Sequence, residues 1–115
     1  MKRKKPVVYI CSRFSDDIET NTKKAREYCR TAVEMQCIPI APHLLFPQFM
    51  DEETERDLAM EMDLALIDRC DELWICDGMF SKGMNREYRH AVNRNKKIQF
   101  LTGGGELICL RSGKE

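Results

Sequence analysis

The sequence has no surplus charge of either sign: its 115 residues include 19 Lys+Arg and 19 Asp+Glu. A protein that coats DNA or RNA needs a positive excess against the phosphates, so a nucleic-acid polymer is not the expected partner. Long apolar runs are also missing. The longest span four or five residues, against about 20 for a helix that crosses a bilayer, so no membrane partner is expected. The basic start Met1–Lys5 is followed only by the short run Val7–Cys11, which predicts no secretory leader and a cytoplasmic location. Cysteine is abundant, at 11, 29, 37, 70, 76 and 109, but no Cys-x-x-Cys pair occurs and no His stands near any of them. Metal-site spacing is therefore absent, and no metal or other cofactor is expected. Cys11 and Cys76 lie inside hydrophobic runs, and the six are read as reduced thiols of a core. With 43% apolar and 33% charged residues, residues 1–115 fit one folded domain.

Strand and helix signals alternate along the chain. Val7–Cys11 reads as a buried strand, followed by the polar loop 12–17. From Thr20 to Gln36 apolar residues recur at helical spacing, with Thr20 or Asn21 as N-cap. Cys37–Ala41 reads as a strand whose internal Pro39 places it at a sheet edge. Pro42–Met50 reads as an apolar loop, and Asp51 as the cap of a helix to Cys70, with Glu52, Glu53 and Glu55 at its positive end. Glu72–Asp77 is a third strand, Gly78–Gly83 a loop, 84–95 a helix and Lys97–Thr102 a fourth strand. Gly103–Gly105 is a turn, and Glu106–Arg111 adds a possible fifth strand of either direction. The alternation predicts a small doubly wound, flavodoxin- or Rossmann-like α/β domain. Its parallel sheet would have four to five strands, with helices on both faces.

In such a fold ligands bind beyond the carboxyl ends of the strands, where strand order reverses. Segments 12–17, 41–50, 77–83 and the turn after Thr102 should meet there. The stretch Asp77-Gly78-Met79-Phe80-Ser81-Lys82-Gly83-Met84 feeds a helix. Its free N–H groups and the Ser81 hydroxyl suit a phosphate, and serve equally as an ordinary turn. Glu87 reads as a first-turn acid favoured by the helix dipole. Asp63 stands out because its helical neighbours Ala59, Met60, Leu66 and Ile67 are apolar. A carboxylate on such a face needs a partner or a raised pKa, as at active sites, or else sits at the rim of the stripe. Two carboxylates facing one pocket are the minimum for glycosidic chemistry. Tyr9 can aim its hydroxyl at the same crevice or pack as a core aromatic. Arg13 beside Ser12 is a phosphate clamp or a solvated arginine. Phe46 and Phe49 either sandwich a planar base or close the core, and His43 reads as a structural hydrogen-bonder.

Tyr9-Ile10-Cys11-Ser12, Ile38–His43, Asp63 and Asp77-Gly78…Ser81–Glu87 together resemble the nucleoside 2-deoxyribosyltransferase superfamily, including the 2′-deoxynucleoside 5′-phosphate N-hydrolases. The nearer likeness is to a group of small bacterial and phage domains of unknown function that share the segment Pro42–Phe49. The Ser-x-Gly-x-x-x-Glu element, with an Asp 18 residues before its Ser, carries much of the likeness, which spans about residues 7–102. It implies that Glu87 is a nucleophile forming a glycosyl-enzyme intermediate, that Asp63 positions it or assists the departing base, and that Tyr9 hydrogen-bonds it. It also implies a 5′-phosphate site at Ser81 and Gly83, completed by Ser12 and Arg13. The partner would be a small nucleoside or nucleotide, no cofactor would be needed, and the chain would form a homo-oligomer. Two departures are visible: Cys11–Phe14 has no glycine, and Asn85-Arg86 replaces small or apolar residues. The same pocket would also suit a non-catalytic binder of a nucleotide or nucleotide-derived signal.

Overall fold

The computed structural model describes residues 4–51 and 53–113. Five strands form one sheet in the order β2-β1-β3-β4-β5. They are β1 (Val7–Cys11), β2 (Ile38–Ile40), β3 (Glu72–Ile75), β4 (Lys97–Leu101) and β5 (Leu107–Arg111). The first four pair in parallel, and β5 returns antiparallel along β4. The doubly wound α/β expectation therefore holds, with an antiparallel strand settling the direction left open for the last segment.

β1 shows why the sheet is covered on both sides. Val8 and Ile10 join one core cluster with Ala32, Trp74, Cys76 and Leu101, backed by α1 (Ile18–Glu34). The intervening Tyr9 and Cys11 join the other, with Ile67, Leu73, Ile75, Met84 and Ala91, backed by α3 (Arg56–Asp68) and α4 (Lys82–Asn93). The two-residue period of a strand thus sends alternate side chains to opposite helical layers. Pro39, which has no N–H to donate, stands in the edge strand β2.

Several boundaries differ from expectation. α1 is capped by Asp17, whose carboxylate accepts from Thr20 N at 3.2 Å. Asn21, expected as a cap, is instead buried, its amide donating to Phe14 O and to Asp16 Oδ1. The apolar stretch after β2 is not a loop: α2 (Pro42–Leu45) starts with Pro42, and a 3-10 turn, Phe46–Gln48, follows. A proline at the first helical position forfeits only an N–H with no helical partner, so it begins a helix as readily as it breaks one. Asp51 does not cap α3. Its carboxylate accepts from Glu53 N and Thr54 N, folding a separate turn, and α3 begins at Arg56 after Glu55. Glu52 lies outside the described residues. α4 begins at Lys82 with Ser81 as its cap, the hydroxyl accepting from Met84 N at 3.2 Å, so Gly83 belongs to the helix. In the turn before β5 only Gly105 needs the left-handed region, at φ 85°. The thiols are all free, but Cys109 is exposed on β5 and Cys29 and Cys37 are only partly covered, so the core holds Cys11, Cys70 and Cys76.

Candidate active site

The reversal of strand order falls between β1 and β3, and the chemistry-bearing side chains gather there. α4 buries Met84, Glu87 and Ala91 on one face, which lays Glu87 against the sheet where β1 presents Tyr9. The Tyr9 hydroxyl donates to Glu87 Oε2 at 2.8 Å, joining residues 78 apart in the chain. Tyr9 and Glu87 are 1% and 2% exposed, and Asp63, from α3, 5%. Because α4 starts at Lys82, Glu87 stands in its second turn. The helix dipole expected to stabilise a first-turn acid is weaker there, and the tyrosine hydrogen bond takes its place.

Burial pushes the Tyr9 hydroxyl well above the ordinary tyrosine value, and the neighbouring charges of Glu87 and Asp63 push it further. It therefore stays protonated and able to donate throughout the neutral range. Cys11, two residues along the same face of β1, has its thiol raised by burial and then by Glu87. This thiol beside Glu87 was not singled out from sequence. The signal was its i+2 relation to Tyr9, which puts both side chains on one face of a strand.

In front of these groups lies a cavity of about 450 Å³, a size suited to small-molecule ligands. Ser12, His43, Phe46, Asp63, Ser81, Gly83, Met84 and Glu87 all line it, and Tyr9 backs Glu87 from behind. His43 holds Nε2 3.1 Å from the Ser12 carbonyl and stacks on Phe14, ring centroids 4.8 Å apart. A ring nitrogen facing a carbonyl must donate, so His43 fixes the loop after β1. Ser12 is 4% exposed, and its hydroxyl has no hydrogen-bond partner among the described residues.

Other expected site residues lie elsewhere. Arg13 does not face the cavity. Its guanidinium donates to Asp16 Oδ2 at 2.9 Å and to the Met79 carbonyl at 2.8 Å, tying together the loops after β1 and β3, and it holds the Asp16 carboxyl below its usual value. Phe49 is 64% exposed, does not line the cavity and packs edge-to-face with Phe46. The Asp77 carboxylate accepts from Met79 N at 3.3 Å, forming a turn, and neither it nor Gly78 lines the cavity. The turn after Thr102 contributes nothing to the lining, because β3 stands between β4, which it follows, and the switch point. Gly83 does not adopt the left-handed region. A Cβ there would stand 3.4 Å from Met60 Cε, an ordinary contact with the end of a flexible side chain, so Gly83 marks where α3 meets α4.

Sequence reasoning passed over Phe14, Arg56, Met60 and Lys82, which also line the cavity. Arg56, Met60 and Asp63 fall at i, i+4 and i+7, one stripe of α3, so the spacing was there to be read. No group of three or more His, Cys, Asp or Glu among the described residues could hold a metal ion. Among the same residues, no helix is long and apolar enough to cross a membrane.

Comparison with known proteins bears on the whole of this arrangement. No curated protein matches the chain. Among solved structures, a 2-deoxyribosyltransferase from the psychrotolerant bacterium Bacillus psychrosaccharolyticus superposes with a TM-score of 0.66 at 18% identity. The match covers 89% of this chain and 76% of that one, and it establishes a shared fold. That enzyme is described as a suitable biocatalyst for the industrial synthesis of antiviral and antitumoral nucleosides. The model of the family "Domain of unknown function (DUF7768)" matches residues 6–101, and the chain belongs to that family.

Proposed function

We propose that this DUF7768 protein cleaves or exchanges the N-glycosidic bond of a nucleoside or nucleoside 5′-monophosphate, with Glu87 as the nucleophile. The observation that carries the reading is the buried 2.8 Å hydrogen bond from Tyr9 to Glu87 at the wall of a cavity that Asp63 also lines. Burying carboxylates costs free energy that an apolar side chain would not, so two of them at one cavity point to chemistry rather than packing. The shared fold with a 2-deoxyribosyltransferase supports the same reading.

In this mechanism Glu87 attacks the anomeric carbon through the oxygen that Tyr9 leaves free. The bond to the base breaks through an oxocarbenium-like transition state, and its electron pair departs with the base. Asp63 positions Glu87 or relays the proton that the base takes up. Water then attacks the same carbon, its oxygen displacing the Glu87 ester oxygen and its proton passing to Asp63 to replace the one taken up by the base. This releases the sugar and restores the carboxylate, while a second base in place of water gives transfer. Tyr9 remains a phenol throughout and fixes the carboxylate plane. The N-terminus of α4, with Ser81, holds a 5′-phosphate when one is present, and Ser12 offers its free hydroxyl to the ligand. Exposed apolar side chains on α2 and on the segments after it and after β3, Leu45 at 51%, Phe49 at 64% and Met79 at 74% exposure, support a homo-oligomer.

The test is a panel of nucleosides and 5′-monophosphates assayed by chromatography for free base. Release is expected from at least one, and Glu87→Gln should lower it roughly a thousandfold or more with an unchanged circular dichroism spectrum. Release that survives Glu87→Gln rejects the nucleophile. Tight binding of an intact ligand with no base freed over hours selects the non-catalytic binder instead.

A further inference from the structure

The cavity sorts its charges by depth. Glu87 and Asp63 are 2% and 5% exposed, whereas Arg56, Lys82 and Arg86 line the same cavity from exposed positions. The ion pairs among the described residues are Arg13–Asp16, Arg30–Glu34, His90–Asp68 and Arg94–Asp68, and none uses these three cations. Asp57 also lines the cavity and offsets part of their charge.

Two elements supply the cations from facing sides. Lys82 and Arg86 are one turn apart on α4, about 6 Å along its axis. Arg56 is the first residue of α3, on the stripe whose Met60 meets α4 at Gly83. The positive ends of both helices therefore border the same opening, which adds to the potential of the side chains. A polar group inside awaits a ligand as well: Ser12 is 4% exposed, lines the cavity, and its hydroxyl lacks a partner among the described residues.

The glycosidase reading, on which this inference rests, assigns the sugar to Glu87 and one phosphate to the start of α4. It leaves two guanidinium groups without a task. We propose that Arg56 and Arg86 form a second anion subsite at the mouth, so that the substrate is a nucleotide carrying a pyrophosphate, a nucleoside 5′-diphosphate being the simplest. A guanidinium offers parallel N–H donors matched to phosphate oxygens, and Arg rather than Lys at both positions suits that geometry. A single phosphate on Ser81 and Lys82 leaves both arginines facing solvent, whereas the second phosphate of a pyrophosphate engages them.

The experiment compares base release from a nucleoside 5′-monophosphate and its 5′-diphosphate, together with calorimetric binding of inorganic pyrophosphate and orthophosphate. In the unmodified protein kcat/KM should favour the diphosphate about tenfold or more, as charge-assisted hydrogen bonds of ordinary strength allow. Pyrophosphate should bind more tightly than orthophosphate. Both preferences should fall toward unity in R56A/R86A, while Lys23→Ala, exposed on α1, leaves the ratios unmoved. If no nucleotide releases base but the pyrophosphate preference and its loss in R56A/R86A persist, the glycosidase reading fails and the subsite stands. Equal handling of one and two phosphates, or preferences that survive the double substitution, overturns the subsite whatever the turnover.

Discussion

Tyr9→Phe removes one oxygen from the interior and leaves ring packing intact, so its effect isolates the hydrogen bond to Glu87. The hydroxyl donates at 2.8 Å to a carboxylate only 2% exposed. A net contribution of about 2 kcal/mol is expected for a hydrogen bond to a charged group. For a domain of this size that lowers Tm by roughly 8 °C, or moves a urea midpoint by about 1 M. In a Glu87→Gln background the acceptor is neutral and the same deletion should cost only about 1 kcal/mol. The double-mutant cycle should therefore return a coupling near 1 kcal/mol, read by urea denaturation of the four proteins at pH 7. Tyr28→Phe, a half-buried tyrosine packed against the opposite core cluster, is the control and should change stability by less than about 0.5 kcal/mol. A cycle that closes additively, with coupling below about 0.3 kcal/mol, would refute the claim that hydroxyl and carboxylate act as a unit.

Ser81 has two proposed tasks that can be separated. Ser81→Ala should cost about 1 kcal/mol through the lost cap on Met84 N, and Ser81→Asp should restore it. The aspartate should nevertheless weaken binding of a phosphorylated ligand, and unchanged affinity in Ser81→Asp would remove Ser81 from the phosphate site. Stability should decline with alkali. Cys11 and Tyr9 are raised well above their usual values, Cys70 to about 11 and Tyr28 to about 12, each mainly by burial. Between about pH 9 and 12 the unfolded chain then holds fewer protons than the native one, and unfolding free energy falls as pH rises. Urea titrations across that range should show the decline, shallower in Tyr9→Phe, and a flat profile would contradict it. Ellman's reagent should modify Cys109 first in the native protein, while Cys11, Cys70 and Cys76 react only on unfolding. A fast phase that persists in Cys109→Ser would show that another thiol is open.

The sheet was legible because its signals are local. Val7–Cys11 and Glu72–Asp77 are short apolar runs between polar loops, and Pro39 marks an edge by a missing donor. The acids were legible for a different reason: Asp63 breaks an apolar stripe, and a resemblance to a known family directed attention to Glu87. Details that depend on tertiary partners were not legible. Arg13 looked like a clamp because nothing in its neighbourhood announced the Met79 carbonyl, 66 residues away, that it binds. Pro42–Met50 reads as a loop because proline is as common at the start of a helix as beyond its end, and only the chain path distinguishes them. The direction of β5 followed from the Thr102–Gly105 turn, too tight for the crossover that a parallel strand requires. Cys109 looked like the other thiols of apolar runs, yet an edge strand leaves its outer face to solvent.

One consequence concerns how the protein could be monitored. Tyr9 comes from the first strand, Asp63 from the middle of the chain and Glu87 from α4, so only a fragment reaching from residue 9 to residue 87 carries the trio. A species that has built only its amino-terminal half has the phenol and neither acid. Any signal that depends on all three groups, whether turnover or ligand-induced protection, should therefore appear only once β1, α3 and α4 have all docked. Such a signal would serve as a readout of complete assembly, useful for tracking the fraction of finished molecules during synthesis or refolding.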